Sequence, residues 1–260
     1  GKVMKLLTKL SIENLYHPFQ TFILGQKNIG AKIAAKFDIP LVFYGENEAE
    51  YGNPIADNST SIRDKSFHSY NNIDEIFLGG VSIKQLKEDD NLENKDFLTF
   101  LPPSASELSN KKIDVRYLGY YLKWTPQEVY YYAVENTGFK PRPFRTQGTY
   151  SKYNSIDDKI DDLHYYTTFI KFGIGRATYD ASQEIRNNHI TRDEGIALVK
   201  RFDGEFPDKY FDEIMSYLDI NPDFFRTELT DKFRSPHLWA KDFKGEWMLR
   251  HNVWGEGLND

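Results

Sequence analysis

No cysteine occurs in the 260 residues, which excludes disulfides, thiolate metal sites and a cysteine nucleophile within this chain. No run approaches the roughly 18 apolar residues expected of a membrane span, and no signal-peptide pattern opens the chain. The six histidines (His17, His68, His164, His189, His237, His251) show neither H-x-x-x-H nor H-E-x-x-H spacing, so a histidine metal site is not indicated. A G-x-S-x-G elbow is missing too, and with it the support for a Ser/His/Asp triad. Positive charge is not in excess: 33 Lys and Arg face 39 Asp and Glu, a formal charge of −6. With the two signs interspersed, a generic nucleic-acid surface is disfavoured, because such a surface clusters its basic residues.

What remains is a chain long enough for one large domain or two unequal ones. Hydrophobic residues at 40% and charged ones at 28% describe a folded globular protein. Aromatics are plentiful, with 17 Tyr, 19 Phe and 4 Trp. They offer flat faces to sugars and bases, and they also fill cores. No internal repeat or low-complexity segment is present. The opening "GKVMKLLTKLSIENLY" goes straight into an amphipathic pattern and reads as the interior of a longer protein.

Val3, Leu6, Leu7 and Leu10 recur at helical spacing, predicting a helix over 2–15. "GQKNIGAKIAAKFD" predicts another, with Ile29, Ile33 and Ala34 on one face. Pro40 breaks it, and "LVFY" reads as a short buried strand, giving the signature of an α/β unit. Residues 53–72 are rich in turn formers and read as a long surface loop. A helix is expected after the glycines of "FLGGVS", irregular structure around the paired prolines at 102–103, and a second strand in "IDVRYLGYYLKW". Helix starts are marked by Thr125 before Pro126, Ser155 with Asp158, Thr191 with Glu194, and Asn221 before Pro222. From about 155 onward only helices are expected. The division is placed at residue 150: residues 1–150 as an α/β domain and 151–260 as an α-helical lobe.

Several stretches are rich enough in polar groups to carry chemistry. In "IPLVFYGENEAEYGN" a predicted strand ends at Gly45, and Glu46, Glu48 and Glu50 crowd behind it. Such acids suit a metal, a cation or a nucleotide, or simply a solvated loop. "FLGGVS" lacks the spaced glycine and lysine of a phosphate loop, so its glycines read as a turn. Asp157, Asp158, Asp161 and Asp162 read as acids favoured at a helix start. In "KFGIGRATYDASQEIR", Gly173 and Gly175 are poor mid-helix residues and mark a kink or a close approach of a ligand. Arg176 in that segment suits a phosphate or carboxylate. "RPFRTQGTYSKY" adds Arg142, Arg145 and two tyrosines, suited to an anionic sugar-containing ligand or to a salt-bridged junction.

Taken together, "IPLVFYGENEAEYGN", "LGYYLKW", "FRSPHLW" and the long stretch from "GTYSKYNSIDD" to "ITRDEGIALVKRFD" resemble the bacterial N-acetyl sugar amidotransferases. These serve lipopolysaccharide and flagellin-glycan biosynthesis, including the pseudaminic acid type, and belong to the PP-loop ATP pyrophosphatases. The resemblance implies a cytoplasmic ligase. ATP adenylates an acetamido oxygen with release of pyrophosphate, and ammonia then displaces AMP to leave an acetamidino sugar. It implies ATP and Mg2+ as cofactors, an N-acetylated sugar or nucleotide-sugar as substrate, a glutaminase subunit as ammonia source, and no nucleic-acid or membrane partner. The fold implied is the remnant of a PP-loop (adenine nucleotide alpha hydrolase-like) parallel-sheet domain followed by the helical lobe. The family's S-G-G-x-D-S loop is not in this sequence, so the chain is expected to be the C-terminal part of the enzyme and inactive alone.

By motif matching, Glu50, Asn47 and Arg176 are the catalytic candidates. Gly45, Glu46, Asn47, Glu48 and Glu50 are assigned to the nucleotide, with Glu50 and Glu48 on the metal. Gly148, Thr149, Tyr150, Lys171, Arg176 and Asp180 are assigned to the substrate. The rival expectations are a non-catalytic sugar-binding or subunit-docking module and a tRNA-modifying PP-loop enzyme.

Overall fold

Helix α1 (Lys2–Leu15) forms where the leucine spacing predicts it. Its residues serve two separate interiors in the computed structural model, which describes residues 1–45 and 60–255. The chain falls into two units, one of Gly1–Ser11 with Phe19–Trp124 and one of Ile12–Pro18 with Thr125–Asp260.

In the first unit, Leu7 packs with Leu78, Ile83, Leu86, Phe97 and Leu101. Helix α2 (Gln20–Phe37) starts earlier than its pattern suggests and ends on Asp38, whose left-handed backbone (φ 54°) closes the last turn. Its inward face matches the expected one only at Ala34. Ala31 and Ala34 are buried, whereas Ile29 and Ile33 are 49% and 41% exposed. Strand β1 (Leu41–Tyr44) explains this by its close approach: a Cβ on Gly30 would meet Val42 and the Tyr44 hydroxyl at 2.9 Å. Only small side chains fit in that gap, so the bulky ones turn outward.

Strand β1 pairs in parallel with β4 (Asp114–Tyr117), from Leu41↔Asp114 to Tyr44↔Tyr117. A parallel pair needs a long crossover, and here it contains further short elements. These are the hairpin of β2 (Phe77–Leu78) and β3 (Val81–Ser82), then α3 (Ile83–Asp90), α4 (Asn94–Phe97) and α5 (Ala105–Ser109). The first unit is thus mixed α/β around a small parallel sheet. The β1 strand is not buried as predicted: Val42 and Tyr44 face α2, but Leu41 and Phe43 are 44% and 49% exposed. Gly79 and Gly80 make the hairpin turn at positive φ, and Gly79 lies against the α1 backbone. In the predicted surface loop, the described part is ordered around buried Arg63 and His68, with Arg63 stacked on Phe67 and Tyr117.

The second unit begins with α6 (Pro126–Asn136). It continues with α7 (Ile160–Phe172), α8 (Arg176–Arg186), α9 (Arg192–Phe202) and α10 (Phe211–Leu218). Then follow α11 (Pro222–Phe224), a π-helical stretch over Phe225–Leu229 and α12 (Thr230–Lys232). Thr191 and Glu194 form the predicted capping box and Asn221 caps Phe224. Ser155 does not cap α7. Its hydroxyl pairs with that of Tyr165, and the Asp158 carboxylate instead accepts from the Ile160 N–H.

The unit is not helical throughout, for β5 (Trp239–Lys241) and β6 (Trp247–Leu249) form an antiparallel hairpin. Trp239 fixes it by donating its indole N–H to the Ile170 carbonyl at 2.7 Å. The core gathers Ile12, Tyr16, Leu163, Phe211, Met215, Leu218, Phe225 and Trp239.

Candidate functional site

The polar groups of the second unit converge where the 142–154 loop meets the start of α8. Gly148 is needed there twice over: its φ is +85°, and a Cβ would stand 3.1 Å from Tyr165. The Ala177 N–H donates to the Gly148 carbonyl at 3.2 Å, joining the loop to α8. Asp180, buried on α8, is the hub. One oxygen accepts from Arg176 Nε at 2.8 Å, and the other from Thr149 at 2.5 Å and Asn154 at 3.2 Å. Arg176 also lies over the Tyr165 ring at 5.3 Å.

Five of the predicted substrate residues are therefore brought together: Gly148, Thr149, Tyr150, Arg176 and Asp180. Their arrangement differs from a row of ligand contacts, because Thr149 and Asp180 already satisfy one another. Lys171 is engaged elsewhere, donating to the Leu15 carbonyl at 2.7 Å. Burial holds its ammonium below the ordinary lysine range.

The two glycines of "KFGIGRAT" also resolve physically. Gly173 ends α7 at φ +71°, and Gly175 opens α8. The group that nears this backbone is the chain's own Asp203, whose carboxylate accepts from Gly175 N at 2.9 Å and Thr178 Oγ1 at 2.5 Å. A Cβ on Gly175 would stand 2.5 Å from that carboxylate. Asp203 thus takes the place at the helix N-terminus that an anion would occupy.

Arg142 and Arg145 are likewise taken up internally. Arg142 meets Asp162 at 3.2 Å, with both side chains buried. Arg145 forms a two-pronged pair with Glu205 at 2.5 and 2.6 Å. Burial works against the charge on Glu205, but Arg145 and the Gly148 N–H outweigh it and hold the carboxyl below its usual range. Of the two readings of this loop, the salt-bridged one describes these arginines.

Further groups complete the site. Asp161 lies among the acids at the start of α7, yet burial pushes its carboxyl up to about 6, with a Ser155 hydrogen bond opposing. It can hold or release a proton near neutral pH. Tyr153 and Tyr150 have phenols raised first by burial and then by Asp180 and Glu184. Burial also raises Glu184 itself. His164 stacks on His17 at 4.7 Å; burial pushes His164 down to about 3 and also lowers His17. A spacing signal for Glu184 existed, since it follows Asp180 by one helical turn. None existed for Asp203 or Glu205.

Residues 147–252 match the family described as LPS biosynthesis protein WbpG-like, C-terminal domain. That WbpG-like segment contains the whole Gly148–Asp180 cluster together with Asp203 and Glu205, and it ties this part of the molecule to lipopolysaccharide biosynthesis. No curated protein matches the chain. Glu46, Asn47, Glu48 and Glu50 lie outside the described residues; Gly45 is exposed just after β1. Among the described residues no group of three or more His, Asp or Glu is placed to hold a metal ion, and no helix is long and apolar enough to cross a membrane.

Proposed function

We propose that the protein works in bacterial surface-glycan biosynthesis as an ATP-dependent amidotransferase that turns the acetamido group of a sugar or nucleotide-sugar into an acetamidino group. One observation carries the reading. The segment matched to the lipopolysaccharide-biosynthesis family is the same segment that folds the tyrosine-lined, carboxylate-rich cluster around Thr149 and Asp180. That cluster presents hydrogen-bonding groups and aromatic rings, which suit a polyhydroxylated ligand.

The acids that the resemblance assigns to ATP and magnesium lie outside the described residues, so the part argued from geometry is the sugar's. Arg176, Thr149 and Asp180 hold the 148–154 loop in place, and Asp161 supplies a carboxyl able to exchange a proton near pH 6. Ammonia from a glutaminase partner and a cytoplasmic setting complete the proposal.

Calorimetry of the chain with a UDP-N-acetylhexosamine, the matching UDP-hexose, ATP and tRNA tests it. The acetylated sugar is expected to bind at least about tenfold more tightly than the UDP-hexose, because a site built to pair an amide rejects the analogue without it. Equal affinity for the two, or a salt-sensitive tRNA complex, overturns the reading. In an amidination assay of the active enzyme, Glu50→Ala is expected to abolish turnover while leaving sugar affinity unchanged.

A further inference from the structure

Helix α6 carries three consecutive tyrosines and buries none of its residues. It is tied to the rest of its unit by side chains rather than by an apolar face. Tyr130 stacks on Tyr153 with ring centroids 4.7 Å apart and planes 23° from parallel. Gln127 links two rings at once: its Oε1 accepts from the Tyr153 hydroxyl at 3.1 Å and its Nε2 donates to the Tyr131 hydroxyl at 3.1 Å. Tyr131 is consequently held at its tip while the residue as a whole is 56% exposed. A ring fixed in this way loses little freedom when a ligand stacks on it.

Acidic groups lie along α6 and close to Tyr153. Glu128 on the same helix is exposed and stands 3.6 Å from His189, and Glu184 and Asp180 act on Tyr153 from α8. Arg176, which also acts on Tyr153, has its Nε committed to Asp180. A phosphate or a nucleic-acid backbone is repelled by such a surface, whereas an uncharged ring that is apolar on one face and rimmed with hydroxyls is suited to it.

We propose that Tyr131, set by Gln127 and Tyr153, is the platform on which the pyranose ring of an N-acetylated sugar stacks, with ring hydroxyls directed to Gln127 and Glu184. This rests on the sugar reading above and extends it to α6, which lies outside the matched 147–252 segment. In a nucleotide-sugar, the diphosphate lies off the platform.

The test uses the full chain titrated with N-acetylglucosamine and UDP-N-acetylglucosamine, by calorimetry and by saturation transfer from protein to sugar protons. Tyr131→Ala is expected to weaken both sugars about tenfold, the upper end of what a stacked ring contributes. Tyr131→Phe keeps the ring and is expected to lose no more than about threefold, and Tyr132→Ala leaves affinity unchanged. All three variants should melt with the parent. If the parent binds and Tyr131→Ala binds equally well, the platform is wrong while the sugar reading stands. If the parent binds neither sugar, both fall. If UDP alone binds as tightly as UDP-N-acetylglucosamine, the sugar is not being read and the platform is again overturned.

Discussion

Asp161 and Asp162 are neighbours in the chain, and burial raises the carboxyls of both. Asp162 is buried against Arg142. Asp161 is half-buried beside Ser155, and its carboxyl is pushed from its ordinary 3.8 up to about 6 by that burial. Between about pH 4 and 6 the folded protein therefore binds this proton more tightly than the unfolded chain does. The sign follows: stability falls as pH rises through that window, and the loss is complete above it. Asp161→Asn is neutral at every pH and keeps a partner for the Ser155 hydroxyl. It should flatten the stability curve between pH 4 and 6 and raise stability at pH 7.5 by up to about 3 kcal/mol. Urea unfolding of both proteins at pH 4, 6 and 7.5 checks this, and an unchanged slope in Asp161→Asn contradicts it. In sequence these two acids look alike. What separates them is Arg142, 20 residues upstream in the folded loop, and no local pattern carries that. Gly175 teaches the same lesson: its spacing announces a close approach, but not that the approaching group is Asp203.

At the scale of elements, local signals were legible and long-range ones were not. Thr191 with Glu194 and Asn221 before Pro222 mark true helix starts, because their bonds close within four residues. Ser155 with Asp158 carries the same signature yet fails, because Tyr165 draws the serine hydroxyl away. Strands β5 and β6 are three residues each, too short for an alternating pattern to register, and they depend on Trp239 reaching back to Ile170. Ile29 and Ile33 of α2 face outward although hydrophobicity favours them inside, because the narrow gap at Gly30 admits only small residues. Helix α6 starts at the expected Thr125 and Pro126, although the Thr125 side chain makes no capping bond, and nothing in its pattern shows how little holds it. That yields a test. Tyr130→Ala removes the stack on Tyr153, a contact of about 1 kcal/mol beyond its buried area. Amide exchange across 127–136 should then speed up about tenfold while α7 and α10 keep their protection. Uniform acceleration over the whole unit, or none in α6, would show that other contacts anchor it.

The matched 147–252 segment is smaller than the unit that folds. Ile12 and Tyr16, from the N-terminal helix and the residue after it, are fully buried in the same core as Phe211, Met215 and Phe225. Tyr16 stacks on Phe225 and Phe233, with centroids 5.6 and 5.0 Å away, and its hydroxyl meets that of Thr230 at 2.6 Å. Arg142, which pairs with buried Asp162, also lies outside the match. A piece cut to 147–252 would leave a cavity where Tyr16 sits and an unpaired charge at Asp162. Deletions of these kinds cost about 3–5 kcal/mol each, together comparable with the whole stability of a domain. That piece is expected to show no cooperative thermal transition, and restoring residues 125–146 should recover the Arg142 pair but not a native melting point. In the full chain, Tyr16→Ala alone should destabilise the second unit by about 3–5 kcal/mol. A sharp, two-state melt from 147–252 by itself would show that the core closes without the N-terminal helix. The contacts of Tyr16 are then incidental to the fold of this unit.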